Sequence, residues 1–130
     1  MKDRKIPVLI LSLLLCAGLL SGCGGKEEAV DVKTWRYDAG EFVTNIKDSG
    51  KMLRSAITID LISESLLTTL EEKDYVAKDI ILRRLRQLTE ADVSSPDIEA
   101  SLSKSLVQEL NTAMNTEGFF KVYIVDFVYQ

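Results

Sequence analysis

Residues 52–62 (MLRSAITIDLI) alternate so that Leu53, Ser55, Ile57, Ile59 and Leu61 share one face, opposite Met52, Arg54, Ala56, Thr58 and Asp60. A period of two marks a half-buried strand, and the first set is expected to meet a core. The preceding run, residues 41–46 (EFVTNI), is apolar and rich in β-formers, with a polar turn at residues 47–51. The two runs read as a hairpin, with Gly50 expected to supply the positive φ of its turn.

The spacing then lengthens. Leu70, Ala77, Ile81, Leu85 and Leu88 form a helical stripe, widened by Val76 and Ile80. Thr68 with Glu71, or Thr69 with Glu72, offers a capping box for its start. Arg83, Arg84 and Arg86 crowd its end, where cations complement the helix dipole. The same three form a candidate anion site, which the charge-compensation reading outweighs. Residues 89–95 read as a loop. Ser95 and Pro96 then suit the cap and first position of a second helix, with Ile98, Leu102, Leu106, Leu110 and Met114 on one face and Gly118 as the stop. Residues 119–130 (FFKVYIVDFVYQ) form a long β-rich segment. Exposed at a sheet edge it would invite aggregation, so it is expected inside the sheet, covered by both helices. The order ββααβ predicts an α+β, two-layer domain: a small sheet under two amphipathic helices.

The first residues follow a different pattern. Lys2, Arg4 and Lys5 precede an apolar run at residues 6–20, and Ser21-Gly22-Cys23 follows. A basic head, a short apolar stretch and small residues describe a secretory signal over residues 1–22. The run falls short of the roughly 20 residues of a spanning helix. Leu20-Ser21-Gly22-Cys23 matches a bacterial lipobox, in which small residues give the peptidase access and the cysteine thiol accepts a diacylglyceryl group. Cys23 is therefore the expected lipidation site. Cys16 suits the role less, because Leu15 fills a position that should be small. An uncleaved anchor helix over residues 6–22 is the alternative, and either route exports the remainder. Residues 23–40, polar and opened by Gly24-Gly25, read as a lipid-proximal tether carrying Trp35 and Tyr37. Residues 41–130 read as an extracytoplasmic domain.

Removing Lys2, Arg4, Lys5 and Asp3 from 16 basic and 20 acidic residues leaves 13 and 19, a formal charge of −6. Such a balance argues against nucleic-acid partners, which need a basic footprint. The chain has no histidine. With Cys23 acylated no thiol remains, so cysteine–histidine nucleophiles and zinc sites are not expected. No glycine-rich phosphate loop is present. Asp60 and Asp126 are the least ordinary carboxylates, both expected to face solvent across the sheet. No catalytic, cofactor or metal site is expected.

Residues 42–130 resemble the extracytoplasmic domain of the flagellar basal-body-associated FliL family. The resemblance is carried by Phe42-Val43-Thr44-Asn45-Ile46 through Gly50, by residues 53–61, by Asp79-Ile80-Ile81-Leu82-Arg83-Arg84-Leu85 with Asp92-Val93-Ser94-Ser95-Pro96, and by Glu109-Leu110-Asn111 with residues 122–130. It implies a stomatin-like fold and a non-catalytic role beside the flagellar stator that supports motility, with protein partners and self-association. Family members usually hold themselves by a transmembrane helix, where this chain presents a lipobox. An envelope lipoprotein acting as a scaffold or assembly factor outside flagella is the second reading. A ligand-binding lipoprotein or enzyme is the third, disfavoured by the missing histidine. On these readings contacts lie on surfaces rather than in a pocket, with Arg83 and Arg86 on the exposed face of the first helix among the candidates.

Overall fold

The computed structural model describes residues 31–130; Cys23 and the expected leader lie outside the described residues. The elements run β1 (Trp35–Asn45), β2 (Met52–Leu61), α1 (Glu64–Glu72), α2 (Asp74–Leu85), α3 (Glu90–Val93), α4 (Ile98–Met114) and β3 (Phe119–Tyr129). The three strands form one antiparallel sheet in the order β1-β2-β3, with the helices against one face. The α+β, two-layer expectation holds. The alternation in β2 holds as well: Leu53, Ser55, Ile57, Ile59 and Leu61 are all fully buried.

The first strand begins at Trp35, so residues 35–40 of the expected tether belong to the sheet. They pair with residues 57–61 of β2, and a bulge keeps them out of the alternation that follows. Asp38 pairs with Thr58 and Gly40 with Ile57, leaving Ala39 as an extra residue. The inward positions run Tyr37, then Ala39 in the bulge itself, then Phe42 and Thr44 after it, so no single alternation spans the strand. Gly40 takes φ +88°, which glycine adopts at little cost, and its N–H donates to Asp38 Oδ1 at 2.9 Å. In the β1–β2 turn the positive φ falls on Asp48 (56°), not on Gly50. Aspartate tolerates that region better than most residues.

The expected first helix is two. α1 starts at Ser63, whose hydroxyl accepts from the Leu66 N–H at 3.3 Å, and the chain breaks at Lys73 before α2. Thr68 and Thr69 do not cap: their hydroxyls donate back to the carbonyls of Glu64 and Ser65 inside α1. The expected loop holds the short α3, closed by a capping box in which Thr89 and Asp92 exchange hydrogen bonds. Ser95 and Pro96 open a tight turn, with Ile98 N–H donating to the Ser95 carbonyl at 3.2 Å, and regular helix starts at Ile98. α4 stops at Asn115, which is left-handed (φ 50°) and sends its N–H back to Thr112 and Asn111. Gly118 serves close packing instead. A Cβ there would sit 2.5 Å from Leu66 Cδ2.

α4 buries Leu102, Leu106 and Leu110 mainly on β3, while α2 buries Ala77, Ile80, Ile81 and Leu85 towards β1 and α4. At the far end Lys51 Nζ meets Glu90 Oε2 at 2.9 Å, and the Ser49 hydroxyl donates to the same carboxylate, tying the hairpin to α3. Lys47 N–H donates to the Leu88 carbonyl at 2.8 Å.

Candidate interaction surface

Among the described residues all helices lie on one side of the sheet, and none of them covers its other face. Strand register arranges that face in rows: Arg36, Asp60 and Lys121; then Asp38, Thr58 and Tyr123; then Glu41, Ala56 and Val125; then Val43, Arg54 and Val128. The lower rows carry aliphatics around one ion pair, Arg54 with Glu41. Val43, Met52, Val125 and Val128 are about half exposed and surround Arg54. Its guanidinium is held by Glu41, with Nε–Oε1 at 2.6 Å and Nη2–Oε2 at 2.9 Å. Single exposed aliphatics are ordinary, whereas a contiguous group rimmed by charge marks a contact surface.

The upper row departs from expectation. Asp60 points to the bare face, yet its side chain is only 6% exposed. Arg36 covers it with a bidentate pair at 2.8 and 3.1 Å, and its guanidinium lies 5.3 Å from the Tyr123 ring centroid. Lys121 Nζ sits 4.6 Å from the same ring. The Arg36 hydrogen bonds hold the Asp60 carboxyl below its ordinary range, against the opposing effect of burial. Asp126 does face solvent, with φ +54° at the point where β3 carries an extra residue between its Arg54–Val128 and Ala56–Val125 pairings.

β3 is an edge strand, not an interior one, because the hairpin places β1 on the opposite side of β2. The hazard of a free edge is met locally. From α4, Ser103 Oγ donates to the Val122 carbonyl at 2.6 Å, and the Asn111 amide both donates to the Phe119 carbonyl and accepts from its N–H. These side chains shield the first half of the strand, and the bulges near Phe120 and Asp126 disrupt its flatness. An open groove of about 520 Å³ remains between α4 and β3, lined in part by Ala100, Val107, Phe120 and Ile124.

The three arginines do not converge. Arg83 lies 3.8 Å from Asp79 on its own helix. Arg84 reaches α4, with Nη2 3.0 Å from Ser105 Oγ and Nε 3.7 Å from Glu109. Arg86 stands beside the β1–β2 turn. The anion-site reading therefore has no geometry to support it. Sequence reasoning passed over Val43, Val125 and Val128 as a surface; the available signal was that both hairpin and terminal strands carry aliphatics on the outward phase. Among the described residues no helix is long and apolar enough to cross a membrane.

Comparison with known proteins assigns the chain. The family model described as flagellar basal body-associated protein FliL matches residues 36–130, starting at the second residue of β1. The flagellar protein FliL of Bacillus subtilis (strain 168) is 26% identical over 111 residues, covering 80% of this chain and 79% of that protein. The flagellar protein FliL of Aquifex aeolicus (strain VF5) is 24% identical over 91 residues, covering 68% of this chain; this chain thus spans little more than half, 56%, of that relative's length. The match takes in the whole sheet and every helix between its strands, save one residue of β1, and by it the chain belongs to the FliL family.

Proposed function

We propose that this chain is a non-catalytic component of the flagellar basal body that supports motility. A lipid on Cys23 holds it to the membrane with the domain on the extracytoplasmic face. The bare side of the sheet, centred on Val43, Arg54, Val125 and Val128, binds stator or other basal-body proteins. The observation that carries this reading is the family match over residues 36–130, combined with an apolar face that no helix among the described residues covers. Contact through such a face needs shape and exclusion of water rather than reactive groups, in keeping with the missing histidine.

The test is to extract the protein from membranes of a flagellated host, weigh it, and identify what co-purifies. A mature mass beginning at an acylated Cys23, with stator or basal-body proteins in the eluate, supports the proposal. A protein that keeps its leader refutes the anchor, and an eluate free of flagellar proteins refutes the partner.

A further inference from the structure

The end of the sheet from which the chain leads back to Cys23 has a chemistry of its own. Trp35, Leu61 and Phe119 pair across that end, and Ile62 N–H donates to the Gly118 carbonyl beside them at 3.0 Å. Three large apolar side chains stand exposed there: Val32 (47%), Ile62 (44%) and Phe120 (58%). Half-buried Trp35 lies under the Lys33 ammonium, 4.8 Å from its ring. Lys121 and Arg36 flank Tyr123 on the bare face of the same end. Tryptophan and tyrosine with lysines beside them are the residues favoured at the headgroup level of a bilayer, where the rings stay amphipathic and the ammonium groups reach phosphates.

We propose that this end of the domain rests on the lipid surface, with Val32, Ile62 and Phe120 entering the headgroup layer around Trp35 and with Lys33 and Lys121 on lipid phosphates. The occupant follows from the chain's path. Residues 24–34 link Cys23 to Trp35 over at most about 43 Å when fully extended, so the tether enters the domain at this end and keeps it within reach of the bilayer. The proposal rests on the N-terminal anchoring proposed above. Net charge does not drive the contact, since Asp31, Glu64 and Glu117 lie at the same end and Asp60 is engaged by Arg36. Apolar burial drives it, and the lysines orient it. The domain then stands with its strands rising from the membrane and its hairpin turn at residues 46–51 farthest out.

Trp35 is the sole tryptophan and reports the contact directly. The full chain, its N-terminus identified by mass, is reconstituted in phosphatidylethanolamine–phosphatidylglycerol vesicles containing lipids brominated near the glycerol level. Interfacial placement predicts at least about two-fold quenching of Trp35 emission. Phe120→Ser and Lys33→Gln with Lys121→Gln each reduce that quenching, while Lys47→Gln at the distant turn leaves it unchanged. Retained far-ultraviolet circular dichroism and thermal midpoint show that the variants fold. Unquenched Trp35 on a protein that sediments with the vesicles overturns the docking while leaving the anchor intact. Quenching insensitive to all three end-face substitutions overturns it too. An anchor that fails shows itself separately, as protein left in the supernatant.

Discussion

Asn111 on α4 and Phe119 at the head of β3 exchange two hydrogen bonds, Nδ2 to the Phe119 carbonyl at 3.1 Å and Phe119 N–H to Oδ1 at 3.0 Å. The side-chain amide stands where a neighbouring strand's peptide group would be. It satisfies one donor and one acceptor at a sheet edge, and it fixes where the strand leaves the helix. Asn111→Ala is expected to lower stability by about 1–3 kcal/mol, the cost of leaving such groups unpaired. Asn111→Asp should be at least as damaging, because a carboxylate accepts from the N–H but repels the carbonyl. Urea denaturation followed at Trp35 checks both; an Asp variant as stable as wild type contradicts the reciprocal pair.

The left-handed backbone at Asp126 gives a second prediction. With φ at +54°, a β-branched side chain is strained there, at roughly 1–2 kcal/mol for that conformation. Asp126→Val should lose about that much, whereas Asp126→Asn should stay within about 0.5 kcal/mol of wild type because asparagine also tolerates the region. Since the Asp126 side chain is exposed and makes no ion pair among the described residues, lost contacts cannot explain a difference between the two.

Acid sensitivity should trace to the buried end of the bare face. The Arg36 hydrogen bonds place the folded Asp60 carboxyl below its ordinary value of 3.8, so the unfolded chain takes up this proton first. The stabilising contribution is complete above the unfolded value and is lost as pH falls through 3.8 towards the lower folded value. Glu90 and Asp92 shift the same way, through hydrogen bonds from Ser49 and from Thr89 respectively, and add to the loss. Urea midpoints should fall as the pH drops from about 5 towards 3, and Asp60→Asn should flatten that fall. Midpoints that fall as steeply for Asp60→Asn as for wild type would exclude the Asp60 pair as a source.

What the sequence made legible follows from how regular each element is. β2 keeps one phase throughout, and its five inward residues read correctly from alternation alone. The stripe of α4 was equally plain. β1 hid its first half because the extra residue at Ala39 swaps the inward phase, so Trp35, Tyr37 and Ala39 did not join Phe42 and Thr44 in one pattern. Asp60 looked solvated because its phase is outward; its cover comes from Arg36, 24 positions away, which no local pattern encodes. β3 looked interior because hydrophobicity alone does not reveal that Ser103 and Asn111 protect an edge. The proposed contact surface stayed unread for a related reason: its aliphatic group forms only once three strands align Val43, Val125 and Val128.

Swimming expansion in soft agar tests the proposed role of that surface most directly. A deletion host is complemented with wild type or with Val125→Glu combined with Val128→Glu, after matched abundance and an unchanged thermal midpoint are confirmed. The proposal predicts that wild type restores expansion and that the double variant does not, because charge on this face blocks the apolar contact while leaving the buried side untouched. Full expansion by the double variant, or a deletion host that swims as well as its parent, would contradict it.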